Sequence, residues 1–187
     1  MDLEPEWTYT ESVLAVLAAV VAFTAPLGFT ENATLDARAS WVAGAPVRVY
    51  CASTDAVWDA FVTTDSPDAP KPVNGLTPAI GGTETYLSPE TCAPILLRLS
   101  KGHKGKGHKG QPSLLALGAA LDVLTHESIH MSGLADEGQT ECKAIHALSG
   151  FLVKQWGFKR GSHAFLTVMH GAWNYHNALP PEYRAVC

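Results

Sequence analysis

Thr125-His126-Glu127-Ser128-Ile129-His130 contains H-E-x-x-H, and the residues around it read as a helix. Upstream, Leu114, Leu117, Leu121 and Leu124 recur at three- and four-residue spacing, the period of one helical face. Ser113 supplies an N-cap and Gly133 a C-terminal stop, which predicts a helix over about 113–133. Residues four apart share a helix face, so His126 and His130 can offer two imidazoles to one metal ion. Glu127, beside the first His, is placed to reach a water on that metal rather than the metal itself. The plain alternative is a buried helix with two core histidines, and it leaves the residues that follow unexplained.

Catalytic zinc sites take three protein ligands and keep one position open. The run Met131–Cys142 holds three carboxylates: Asp136, Glu137 and Glu141. Asp136 has N-cap character, and Glu137 and Glu141 stand four apart on the helix it would start. The intervening turn is short, so the second helix folds back beside the first. An acid from its first two turns can then approach both imidazoles. The expected metal set is His126, His130 and one of these three acids.

Asp136-Glu137-Gly138-Gln139-Thr140-Glu141 resembles the N-E-x-x-S-D helix of the thermolysin-like gluzincins. The resemblance implies that Glu137 is the third zinc ligand. It also implies that Glu141 accepts a hydrogen bond from a zinc-bound His, the usual way of fixing a ligand's tautomer and ring angle. The gap between the second His and this helix is much shorter than in thermolysin, as in minimal members of the clan. The run from His126 to Asp136 also fits H-E-x-x-H-x-x-G-x-x-D, which resembles the snapalysin-like metzincins. In that pattern Gly133 would turn the chain and Asp136 would ligate. Metzincins also need a Met-turn below the zinc, and Met169 lies in a segment that reads as helix. Glu137 therefore ranks first as third ligand, Asp136 second and Glu141 third. The wider pattern is similar to small secreted bacterial proteins with H-E-x-x-H followed by D-E-x-x-T-E-C. Together these resemblances imply a zincin-like metallopeptidase: a Zn2+-activated water, Glu127 as general base, and a peptide or protein substrate.

The chain has 187 residues, enough for one domain with a real core. Its net charge of −5 leaves no nucleic-acid face to expect. Cys51, Cys92, Cys142 and Cys187 form no C-x-x-C pair, which argues against a Cys-based zinc site. Four spaced cysteines suit two disulfides in an oxidising compartment. The favoured pairing is Cys51–Cys92 and Cys142–Cys187, against four buried thiols in a cytosolic protein. Residues 13–23 form an apolar run of signal-peptide length, but Asp2, Glu4, Glu6 and Glu11 stand where a basic n-region belongs. The segment 1–30 is expected as a signal sequence, an anchor through 13–29, or a helix packed on the domain. The expected location is secreted or at the cell surface. Asn32-Ala33-Thr34 fits a glycosylation sequon.

Residues 31–187 are expected as the metallopeptidase domain, entered through a linker over 30–46. Val47-Arg48-Val49-Tyr50-Cys51 alternates and reads as a strand. Residues 55–62 read as a short helix capped by Thr54 or Asp55, and 64–82 as a Pro/Asp/Gly loop. Thr83–Ser88 alternates again and could pair with the first strand. Lys101-Gly102-His103-Lys104-Gly105 recurs as Lys106-Gly107-His108-Lys109-Gly110. Such a segment cannot bury a core and reads as a mobile solvated loop, with His103 and His108 available for auxiliary metal capture. The helix begun at Asp136 runs to Trp156 and stops at Gly157. A last helix, capped by Ser162, stops at Pro180-Pro181. It carries His163, His170, Tyr175 and His176. His170 and Tyr175 are the candidates to polarise a substrate carbonyl. The expected fold is thus α+β: a helical half with an active-site helix and a third-ligand helix, plus a short β-hairpin or small sheet. Two other classes remain open on sequence: a degenerate relative that binds metal without turnover, and a secreted, disulfide-held binding module.

Overall fold

The computed structural model describes residues 26–68, 73–100 and 113–184. The apolar run at 13–23, the Lys/Gly/His repeat at 101–110 and Cys187 lie outside them.

The fold is α+β, with six helices and a four-stranded mixed sheet among the described residues. The strands are β1 (Phe29–Glu31), β2 (Arg48–Ala52), β3 (Gly75–Leu76) and β4 (Glu84–Leu87), in the order β1-β2-β4-β3. The helices are α1 (Ala33–Ala43), α2 (Asp55–Asp65), α3 (Pro89–Ser100), α4 (Leu114–Met131), α5 (Glu137–Trp156) and α6 (His163–Ala178). A short 3-10 turn follows at Pro181–Tyr183.

The alternation in β2 divides the interior into two cores. Val49 and Cys51 point into the large core with Leu35, Leu87, Leu121 and Leu124. Tyr50 and Ala52 point to the other face, where Phe29, Trp58, Val62 and Tyr86 gather under α2. Tyr50 lies opposite Tyr86 in the register and their rings stack at 5.1 Å.

Three expectations are corrected. The stretch 30–46 is not a linker: it holds most of β1 and all of α1. Asn32 caps α1, its side chain accepting from the backbone N–H groups of Thr34 and Leu35. The two long strands do not form a hairpin, because β2 and β4 run parallel, joined through α2 and β3. The loop at 64–82 contains β3, which pairs antiparallel with β4 and forms one edge of the sheet. Helix α3 had no counterpart in the sequence reading. It carries Pro94 inside it and is tied to β2 by the Cys51–Cys92 disulfide, as that pairing anticipated. A loop of this length restricts the unfolded chain by about 3–4 kcal/mol. Cys142 is also disulfide-bonded, and its expected partner Cys187 is outside the described residues.

Helix α4 runs through the centre. Every residue from Ala120 to Met131 is buried, so this stretch has no solvent face and no amphipathic stripe. It crosses α6 backbone to backbone at Gly118 and Gly171. A Cβ on Gly118 would overlap the Val168 carbonyl oxygen, and one on Gly171 the Leu115 carbonyl oxygen. Deep in this helix, the hydroxyls of Thr125 and Ser128 donate back to the carbonyls of Leu121 and Leu124, so the two side chains bring no unpaired polar atoms into the core.

Candidate metal centre

The second half of α4 places His126 and His130 on one face, with ring centroids 4.7 Å apart. Chain reversal follows at once. Gly133 takes φ +95°, a left-handed conformation open to glycine. The Asp136 carboxylate accepts from the Gln139 N–H and starts α5. The first residue of that helix, Glu137, thereby meets both imidazoles.

Three atoms converge. His126 Nε2 and His130 Nε2 stand 3.0 Å apart, and Glu137 Oε2 lies 3.0 Å from the first and 3.3 Å from the second. The far sides of the rings determine what these atoms are. His130 Nδ1 is 2.7 Å from the Leu134 carbonyl oxygen, which can only accept, so Nδ1 carries the proton. His126 Nδ1 faces Glu141 Oε2 at 2.9 Å, again an acceptor. In the neutral rings both Nε2 atoms therefore present lone pairs, and Glu137 adds a carboxylate oxygen. Three acceptors within hydrogen-bond distance and no donor among them repel one another unless a cation joins them.

The set could hold a metal ion. At tetrahedral bond lengths of about 2.0–2.1 Å, neighbouring ligand atoms stand about 3.3 Å apart, close to the separations found here. The proton shows the same demand for positive charge. Burial opposes a charge on His126, but hydrogen bonds to Glu137 and Glu141 and the nearby Glu127 outweigh it and raise its pKa to about 10. Burial likewise pushes Glu137 up, yet hydrogen bonds from His126 and His130 prevail and bring it down to about 2.

A polar layer supports this set. Glu141, 1% exposed, accepts from His126 on Oε2 and from His176 Nδ1 on Oε1, at 2.9 Å each. The carboxylate from α5 thus holds one imidazole from α4 and another from α6. Asp122 lies one helical turn before His126, fully buried, with neither oxygen in a hydrogen bond among the described residues. Burial first, and then the charge of Glu141, hold its pKa well above the carboxylate range.

Glu127 points the other way, into a cleft of about 420 Å³. Its Oε2 accepts a 2.8 Å hydrogen bond from the Thr77 hydroxyl. Burial raises its pKa; charge on the two imidazoles and the Thr77 bond offset this in part. The cleft walls come from Asn74–Thr77, from Val123 on α4, and from Tyr175 to Tyr183 around the end of α6. The Asn74 side-chain amide donates to the Tyr175 hydroxyl at 3.2 Å. Burial pushes that phenol up to about 12 despite the Asn74 bond, so it keeps its own proton for an acceptor. The Tyr183 ring lies 5.9 Å from the His126 ring.

Of the residues expected from sequence, His126, His130 and Glu137 come together as the one group of this kind among the described residues. Glu141 sits behind them and Glu127 in front. Asp136 is an exposed N-cap outside the group. Tyr175 lines the cleft, whereas His170 is exposed and does not. The sequence reading did not single out Thr77, Asn74, Asp122, Tyr183 or the role of His176. Thr77 and Asn74 lie some fifty residues before the motif, and no local pattern marks them. No family model, no curated protein and no solved structure matches the chain. What the fold and site define is thus an α+β domain with a two-His, one-Glu candidate metal centre at the base of a cleft.

Proposed function

We propose that this protein is a zinc-dependent hydrolase and, within that class, a peptidase. The observation that carries the reading is the convergence of three acceptor atoms, from His126, His130 and Glu137, beside a cleft that also holds a buried carboxylate. Zinc bound there would supply a Lewis acid and a water acidified toward neutrality. Glu127, its pKa raised by burial, suits a group that takes a proton near neutral pH and hands it to a leaving amine. Glu141 and His176 keep His126 in the tautomer that leaves Nε2 free. The Tyr175 hydroxyl is a donor for a developing oxyanion in the same cleft. Peptides are favoured as substrates because β3 is an edge strand on the cleft wall, and an edge strand can pair with an extended chain.

The setting we propose is extracytoplasmic. The Cys51–Cys92 disulfide supports an oxidising compartment. No described helix is long and apolar enough to cross a membrane, so anchoring would rest on residues 13–29.

The test is metal content together with turnover. Zinc-replete purification is expected to retain about one equivalent of zinc, and the loaded protein to cleave unfolded casein. Glu127→Gln is expected to keep the metal and lose cleavage by about 100-fold or more. Less than about a tenth of an equivalent of zinc would remove the reading altogether. Full zinc with no cleavage of any unfolded protein would leave a metal-binding module.

A further inference from the structure

The Glu127 carboxylate is held asymmetrically. Oε2 is bound by Thr77 at 2.8 Å. Oε1 has no hydrogen bond among the described residues, and it lies over Gly75. A Cβ built on Gly75 would stand 2.7 Å from Oε1 and 2.6 Å from Cγ of Glu127, closer than real Cβ atoms come. Only a glycine at this point of β3 lets the carboxylate lie flat against the strand.

Thr77 has one hydroxyl proton and three acceptors within reach: Glu127 Oε2 at 2.8 Å, the Glu127 carbonyl at 3.3 Å and Thr85 Oγ1 at 3.2 Å. The carboxylate is nearest and charged, so it takes the proton. Thr85 can turn its own proton to the Leu76 carbonyl at 3.3 Å, which leaves Thr77 committed to Glu127. The Thr77–Thr85 pair bridges the β3 end and β4, so the sheet itself is the support.

We infer that this edge of the sheet aims the proton-handling group of the proposed hydrolase. Thr77 is a positioning residue that holds Oε2, Gly75 is the gap that admits the side chain, and Oε1 is the oxygen that works. The inference rests on the hydrolase reading. In proton terms, Oε1 accepts one proton from a water, holds it as the neutral acid, and returns it to the leaving amine. The carboxylate ends as it began, and Thr77 keeps its own proton throughout.

The experiment uses the zinc-loaded full chain with fluorescent casein, and zinc affinity measured by chelator competition. Thr77→Val removes the hydroxyl and keeps the shape. It is expected to lower kcat about 10- to 100-fold, the scale of a displaced catalytic group. KM and zinc Kd should stay within about twofold, since the hydroxyl is committed to Glu127 and is not among the three converging atoms. Thr77→Ser is expected to restore kcat to within about threefold of wild type, because Ser offers the same donor. Gly75→Ala should repeat the kcat loss with zinc Kd unchanged, a second route to the same displacement should the Val variant not fold. Wild-type kcat in Thr77→Val overturns the inference. So does a Ser variant as impaired as the Val variant, which would make packing the cause, or a zinc Kd that rises in step with the fall in kcat. If Glu127→Gln itself turns over like wild type, the hydrolase reading fails instead. That result is distinct from an inert Thr77 beside an essential Glu127.

Discussion

The stretches of α4 before and after Thr125 are both largely buried from Leu117 onward and could hardly differ more in what burial does for them. From Leu117 to Leu124 the helix presents apolar side chains to the large core, with Asp122 the one buried acid among them, and, at Gly118, bare backbone to α6. From Thr125 to His130 it buries two imidazoles, a carboxylate and two hydroxyls. Removing apolar surface from water stabilises the first half. Dehydrating polar and ionisable groups opposes the second. The two hydroxyls bond back to their own helix, and the imidazoles and the Glu127 carboxylate find partners on other elements: Thr77 beside β3, and Glu137 and Glu141 from α5, with His176 from α6 behind Glu141. The apolar half carries the fold, and the polar half draws on that stability to keep its groups in place.

Breaking each half separately tests this division. His126→Ala should have the largest effect on function. It removes one of the three proposed metal ligands and is expected to weaken zinc binding by more than the about 10- to 100-fold that follows loss of an outer partner. Titration against a chromogenic chelator measures this, and an unchanged Kd would show that the rings do not bind metal. Glu137→Gln is expected to weaken zinc binding more than Asp136→Asn in the same assay. The reverse order would move the ligand to the N-cap residue.

Gly118→Ala attacks the apolar half. The added methyl group must push α4 from α6, at an expected cost of about 3 kcal/mol in denaturant melts. Zinc Kd in the folded fraction should change little. A loss of metal with no loss of stability would show that the two halves are not separable.

Acidity gives the smallest and sharpest comparison. In the metal-free protein His126 has its pKa raised from 6.5 to about 10. Its contribution to stability is full below 6.5 and lost as pH rises through 10. Glu137 is lowered from 4.5 to about 2, so its contribution is full above 4.5 and lost as pH falls through 2. Both operate fully between those unfolded values, 4.5 and 6.5. Zinc has the opposite slope, because it must displace the proton on His126. From this group alone its affinity should rise about tenfold per pH unit up to about pH 10. The rise in Tm on adding zinc is therefore expected to grow from pH 5 to pH 9. A rise in Tm that is flat with pH would mean that His126 is not protonated in the metal-free state.

Much of the site was legible because its parts are close in sequence. Helical periodicity, a four-residue His spacing, a glycine turn and an Asp cap place His126, His130, Glu137 and Glu141 within sixteen residues. Local rules suffice at that range. Two helices were harder. Pro94 inside α3 reads as a break, yet Cys92 and Ile95 are buried and the disulfide clamps the helix to β2. In α1, Asn32 read as a sequon rather than a cap, and only Leu35 and Ala39 are buried there. Tertiary contacts overrode weak local signals in both.

From the chain alone came the α+β class, the helix pair that brings His126, His130 and Glu137 together, and one disulfide, because these follow from spacing along a helix, alternation along a strand and the count of cysteines. The folded molecule alone decided that β2 and β4 run parallel, since alternation is the same for either direction. It alone brought Thr77 and Gly75 to Glu127, and His176 to Glu141. Those meetings join residues 35 to 52 positions apart. Side chains so distant meet only where packed helices and a paired strand edge bring them together, and no rule of neighbouring residues reaches that far.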